Sequence, residues 1–221
     1  MPKSAGRSGQ LRLIGGRFRG RRLPIPHQIG LRPTTDRTRE TLFNWLAPII
    51  EGSRCLDCFA GSGALGLEAA SRGAARVVMI ERAAAVARQL RANAALLGAD
   101  TVDVIHADAL GWLSAQPPRP FDVVFLDPPF GLDLLVPSCS LLYRRGWVRP
   151  GSRIYLELPG AAELPTLPAG WQLTRDKRAG QVRFVLVEVD RGGAGAAGDG
   201  ARDALGGPSD SVSSQAPEDI G

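Results

Sequence analysis

Two short stretches bring together residue types that could do chemistry on a small molecule. The first is Asp57-Cys58-Phe59-Ala60-Gly61-Ser62-Gly63-Ala64-Leu65-Gly66, a Gly-rich turn entered by an acid. The second is Asp127-Pro128-Pro129-Phe130. Glycines where a strand turns into a helix let the backbone approach a bound ligand closely. Taken literally, Gly61 to Gly66 fits the dinucleotide fingerprint, with an acid, Glu81, about 20 residues on. Asp57 separates the options. A carboxylate at the mouth of the turn repels a pyrophosphate and attracts a cation. S-adenosylmethionine has no phosphate and carries an ammonium and a sulfonium, so it suits this turn better than NAD. Glu81, ending the next strand, is placed to accept hydrogen bonds from two ribose hydroxyls. Asp108, beyond the strand after that, could accept from an adenine amino group. Phe59, Ala60, Gly61, Ser62 and Gly63 in the turn, with Arg82 and Ala109 after the outer acids, complete the expected cofactor set.

In Asp127-Pro128-Pro129-Phe130 two consecutive prolines fix φ and remove two N–H donors. A carboxylate and backbone carbonyls remain, all acceptors. Such a cluster beside an aromatic ring suits a planar group bearing a conjugated amino group, with Phe130 stacking on it. The acceptors orient the amino hydrogens. Asp127 helps to accept the departing proton, and alignment and water exclusion do the rest. Asp127, Pro128, Pro129 and Phe130 are therefore the candidate catalytic set for an N-methylation. These residues do not distinguish guanine from adenine, cytosine or a glutamine side chain.

The elements that must position these groups follow a βα rhythm. Thr35-Asp36 opens a helix with Leu42, Trp45, Leu46 and Ile49 on one face. Strands are expected at 54–59, 76–80, 102–105, 121–126 and 153–158. Helices are expected at 64–71, at 83–97 with a stop at Gly98, at 109–115 and at 132–145. Residues 171–177 and 182–189 flank a turn as a closing hairpin. This alternation predicts an α/β fold: a seven-stranded, mostly parallel, Rossmann-like sheet with an antiparallel hairpin at its edge. Ligands bind such sheets beyond the carboxyl ends of the strands, where all four acids fall. Leu11 to Pro26, around Gly15-Gly16, reads as a basic β-hairpin arm.

Charge is unevenly placed along the 221 residues. Residues 1–40 carry ten basic residues against two acids, a net +8, while 41–190 are neutral and 191–221 carry −3. The excess suggests a polyanionic partner, and Arg17, Arg19, Arg21, Arg22, Arg32 and Arg37 are the candidate RNA contacts. We divide the chain into a basic arm (1–33), a methyltransferase domain (34–190) and a disordered acidic tail (191–221). Three cysteines make no disulfide scaffold and point to the cytoplasm. Cys55 and Cys58 spell CxxC, but on a strand they face opposite ways. No metal site is expected, nor is a membrane span.

At this point the sequence resembles a family. The Asp57–Gly63 turn and Asp127–Phe130 look like class I methyltransferases acting on exocyclic amino groups. Leu31 to Leu46, with Ile14-Gly15-Gly16 and Gly20-Arg21-Arg22-Leu23-Pro24, resembles the RsmD family of bacterial 16S rRNA guanine-N2 methyltransferases. Ala64 to Ala69, Ser71 to Ala74 and Ala179 to Val182 extend the likeness, which covers residues 11–189. The resemblance implies S-adenosylmethionine as donor and a guanine of 16S rRNA, guanine 966, as acceptor. It also implies the small ribosomal subunit or an assembly intermediate as partner; we read the chain as a monomer. Other readings are a DNA amino-methyltransferase, which needs a larger target-recognition region, and a protein glutamine methyltransferase, which needs no basic arm. Another is a non-catalytic rRNA assembly factor, against which the intact acids argue. The last is a nicotinamide oxidoreductase, against which Asp57 argues.

Overall fold

A computed structural model describes residues 9–25 and 35–190. Residues 1–8 and 26–34, Arg32 among them, and the acidic tail (191–221) lie outside the described residues. Among the described residues no helix is long and apolar enough to cross a membrane.

The expected rhythm forms a seven-stranded sheet. Its parallel part contains β3 (Arg54–Asp57), β4 (Arg76–Glu81), β5 (Val102–His106), β6 (Phe121–Leu126) and β7 (Val148–Pro159). Two antiparallel strands, β8 (Trp171–Ala179) and β9 (Val182–Val189), close it in the order β5-β4-β3-β6-β7-β9-β8. The chain runs outward from β3 to β5 and then returns to the other side of β3 as β6. The gap above β3 and β6 is therefore the topological switch point, where ligands settle in open α/β sheets.

Two apolar layers hold the sheet. Cys55, Val77, Met79, Val123, Phe125 and Tyr155 face α1 (Asp36–Leu46), α2 (Gly66–Ser71) and α3 (Ala84–Leu97). Leu56, Val78, Ile80, Val124, Leu126 and Leu156 face α4 (Ala109–Ala115) and α5 (Leu135–Arg145). Cys55 and Cys58 fall in different layers, as the strand period requires. Burial pushes the Cys55 and Cys139 thiols up to about 12 and the Cys58 thiol well above its ordinary value.

Local signals set several boundaries. Thr35 caps α1, its Oγ1 accepting from the Thr38 N–H at 3.2 Å. Leu42 and Leu46 are buried on the expected face, with Trp45 and Ile49 packed partly buried beside them. Other boundaries move. β3 stops at Asp57, two residues early, although the Cys58 and Ala60 N–H groups still donate to the Phe125 and Ile80 carbonyls of the neighbouring strands. The second helix begins at Gly66 and the fifth at Leu135. The fifth strand starts at Val148; the pairing of β6 with β7 is irregular between Phe121 and Val123. Pro150-Gly151, inside β7, hides that early start.

The basic arm is a hairpin, as expected, but it is also part of the core. β1 (Gly9–Arg12) and β2 (Arg22–Ile25) pair antiparallel. Leu11, Leu13, Phe18, Leu23 and Ile25 are buried in the same layer as α2 and α3. Burying each side chain stabilises by about 1.5–3 kcal/mol. Between the strands, the Phe18 N–H donates to Ser71 Oγ at 3.0 Å. Gly16 sits at φ +69, and a Cβ there would run into the Ser71 carbonyl. The Gly-Gly turn is thus needed for close approach to α2 as well as for its positive φ.

Candidate active site

The turn after β3 is held by carboxylates from two strand ends. Asp57 is almost fully buried, and its Oδ2 accepts the Gly66 N–H at 3.0 Å, fixing the start of α2. Its Oδ1 is buried and has no hydrogen-bond partner among the described residues. Burial raises the Asp57 pKa to about 7, with the backbone N–H groups of Gly66 and Phe59 working the other way. Glu81 spans the turn from the next strand. Its Oε2 accepts from the Gly61 N–H at 3.0 Å and its Oε1 from the Ala83 N–H at 2.6 Å. Gly63, at φ +82, has no room for a side chain: a Cβ would stand 2.7 Å from Leu90. Asp108 caps α4 by accepting the Gly111 N–H at 2.9 Å. Each expected cofactor acid therefore also organises backbone, a role that the sequence reading did not assign.

Across the switch point, Asp127 is half-buried, Pro128 buried and Pro129 exposed. Phe130 is 50% exposed, so its ring is open to a stacking partner. One cavity of about 870 Å³ joins the two halves. Asp57, Phe59, Ala60, Gly61, Ser62, Glu81, Arg82, Asp108 and Ala109 line it, and so do Asp127, Pro128, Pro129 and Phe130. Gly63 does not line it; it serves the packing of the turn against Leu67 and Leu90.

The candidate RNA contacts separate into two places. Arg37 lines the cavity. Arg17 and Arg21 lie at the carboxyl end of α3, where their Nη2 groups donate to the carbonyls of Gly98 and Leu96, each at 3.1 Å. Helix α3 starts beside the cavity and runs away from it for 14 residues, about 21 Å. Arg17 also lies over the Phe18 ring, 4.3 Å from its centroid. Cations at a helix carboxyl end are favourable in themselves. Arg19 and Arg22 are exposed on the same hairpin.

Sequence reasoning missed three groups at the cavity. Thr35, Thr38 and Thr41 bring the start of α1 to its wall. Lys177 and Arg178, exposed at the end of β8, join Arg37 and Arg82 as cations lining it. Glu157 lines it from β7, 7% exposed, and the Tyr155 hydroxyl donates to its Oε2 at 2.6 Å. Burial raises the Glu157 pKa above its ordinary value, and the Tyr155 hydrogen bond works against that rise. The signal was present, since Glu157 is an acid near the end of a fifth parallel strand.

A cavity at the carboxyl ends of a β5-β4-β3-β6-β7-β9-β8 sheet, walled by strand-end acids and Asp-Pro-Pro-Phe, defines a Rossmann-like class I methyltransferase. The family model described as Conserved hypothetical protein 95 matches residues 11–188. The ribosomal RNA small subunit methyltransferase D of Escherichia coli (strain K12) is 52% identical over 186 residues, 84% of this chain and 93% of the relative. Its counterpart in Haemophilus influenzae is 45% identical over 183 residues, 81% of this chain and 94% of the relative. The solved structure of the Escherichia coli protein yhhF is 50% identical, with a TM-score of 0.78, covering 83% of this chain and 99% of that one. The chain belongs to the family of ribosomal RNA small subunit methyltransferase D, the RsmD family.

Proposed function

We propose that the protein transfers a methyl group from S-adenosylmethionine to the exocyclic N2 amino group of a guanine in 16S rRNA of the small ribosomal subunit. The observation that carries this reading is the single cavity lined by both Asp57, Glu81 and Asp108 and Asp127–Phe130. The donor set fits the cofactor. The partnerless Asp57 Oδ1 is an acceptor for an ammonium, Glu81 has lone pairs left for ribose hydroxyls, and Asp108 can take an adenine amino group. When bound, S-adenosylmethionine supplies an electrophilic methyl group on a sulfonium. Asp127 and the carbonyls around Pro128 accept the amino hydrogens and hold the nitrogen in one orientation. Phe130 stacks on the base and excludes water. Asp127 then takes up the proton that the amino nitrogen sheds. The test offers methyl-labelled S-adenosylmethionine with unmodified small subunits, naked 16S rRNA, DNA and a release factor, and maps the labelled atom. Label on guanine N2 of 16S rRNA is expected. Label confined to DNA or to glutamine overturns the reading.

Cofactor binding should depend on pH through Asp57. Its pKa of about 7 lies above the ordinary carboxylate range, so the carboxyl gains its charge only as pH rises through that value. Affinity for the cationic cofactor is expected to increase over the same interval. Calorimetric titrations from about pH 5.5 to 8.5, on wild type and Asp57→Asn, isolate this contribution as the difference between the two profiles. Parallel profiles would take the Asp57 charge out of cofactor binding.

RNA is expected to be gripped at the mouth of the cavity as well as by the hairpin. Replacing Lys177 and Arg178 with Ala should weaken RNA binding more than replacing Arg17 and Arg21, which already serve the α3 carbonyls. The salt slope should become shallower by roughly 0.7 per lost phosphate contact on single-stranded RNA. Filter binding across a salt series measures both, and the reverse ranking would return the grip to the foot of the hairpin.

A further inference from the structure

Glu157 is the cavity carboxylate with no part in the scheme above. β6 and β7 run parallel, with Leu126 opposite Leu156, so Asp127, just past β6, and Glu157, still within β7 and paired with Phe184, stand at the same level on neighbouring strands. Both line the cavity. The Tyr155 hydroxyl, fully buried, spends its one proton on Glu157 Oε2. Burial opposes ionisation of that phenol, as do the Glu157 and Asp127 charges, so Tyr155 remains a donor. Glu157 Oε1 has no hydrogen-bond partner among the described residues, and it is not one of the polar atoms sealed from solvent. It therefore opens on the cavity as a fixed acceptor beside the acceptor cluster at Asp127.

Two neighbouring acceptors select among the amino-bearing bases. Guanine presents its N2 amino group next to a second donor, N1–H. Adenine and cytosine present their amino group next to a bare ring nitrogen, whose lone pair faces a carboxylate unfavourably. A glutamine side chain has no ring donor at all. A buried polar group left unpaired by the wrong substrate discriminates strongly, more than apolar shape does.

We propose that Glu157, held by Tyr155, reads the N1–H of the target guanine while Asp127 takes its amino group, so that this pair determines the base. This rests on the guanine-N2 reading above and supplies what Asp-Pro-Pro-Phe alone does not. Glu157 is here a specificity-determining contact to the substrate base.

The experiment compares small-subunit particles carrying either guanine or 2-aminopurine at the methylated position. 2-Aminopurine keeps the amino group but has a bare N1. Wild type should prefer guanine by about 100-fold or more in kcat/KM. In Glu157→Gln the amide can turn its NH₂ toward the bare nitrogen, so the preference should shrink at least ~10-fold. Tyr155→Phe, which leaves Glu157 its charge but frees its orientation, should shrink it by a smaller factor. If a variant turns over too slowly, competition binding of the two particles gives the same ratio. An unchanged ratio in both variants, whatever their rates, overturns the proposal and leaves Glu157 a supporting group. A wild type that leaves guanine N2 unmethylated fails earlier, in the mapping experiment, and overturns the function itself.

Discussion

Replacing Asp127 with alanine is expected to reduce methyl transfer by about 100-fold or more while cofactor binding stays near wild type. Asp127 follows β6 at the switch point, and the two prolines after it remove backbone donors that could otherwise occupy the acceptors meant for the amino hydrogens. Without the carboxylate the amino group loses its orienting partner and the acceptor for its proton. Misplacement of a reacting atom by about 1 Å costs on the order of 10²-fold. The cofactor side is spared because Asp57, Glu81 and Asp108 hang on other strands. Labelled-methyl incorporation under single-turnover conditions measures the loss, and calorimetry checks the cofactor. Turnover within a few-fold of wild type would defeat the mechanism.

The second large effect concerns the fold. Glu68, on α2, is wholly buried. It accepts the Ile14 N–H at 2.9 Å and Arg72 Nε at 2.8 Å, and Arg39 Nη1 lies 3.7 Å away. Arg39 is itself 1% exposed, pairs with Asp36 at 2.6 Å and donates to the Arg12 carbonyl at 2.8 Å. One carboxylate thus joins the hairpin, α1 and α2. Glu68→Ala leaves two arginines and a backbone donor without it, and should cost about 3–5 kcal/mol in denaturant unfolding, as broken buried pairs do. A loss below about 1 kcal/mol would mean that Asp36 alone satisfies Arg39.

Glu68 also shows where the sequence stops being legible. Ala64-Leu65-Gly66-Leu67-Glu68-Ala69 reads as an ordinary helix start, and nothing local says that its acid is buried. The backbone N–H that its carboxylate accepts comes from Ile14, 54 positions earlier. The same holds for Arg17 and Arg21, whose run of positive charge reads as a nucleic-acid patch; half of its geometry is set by carbonyls at Leu96 and Gly98. In contrast, the α1 cap at Thr35, the stop at Gly98 and the acids at Asp57, Glu81, Asp108 and Asp127 were legible, because caps and strand ends are written in adjacent residues. Glu157 falls between the two cases. It obeys the strand-end rule, yet it stands inside an apolar run that reads as pure core.

The hairpin's partners have a further consequence, in the order of synthesis. Ser71 and Glu68 follow the hairpin residues they hold by more than 50 positions, and Leu96 and Gly98 follow theirs by 75 and 81. Translation makes about 5–20 residues per second. For several seconds the nascent hairpin therefore exists without α2 or α3, its Leu11, Leu13 and Leu23 facing water. Among the described residues the first strands to be made therefore wait, with their apolar side uncovered, until α3 has been synthesised.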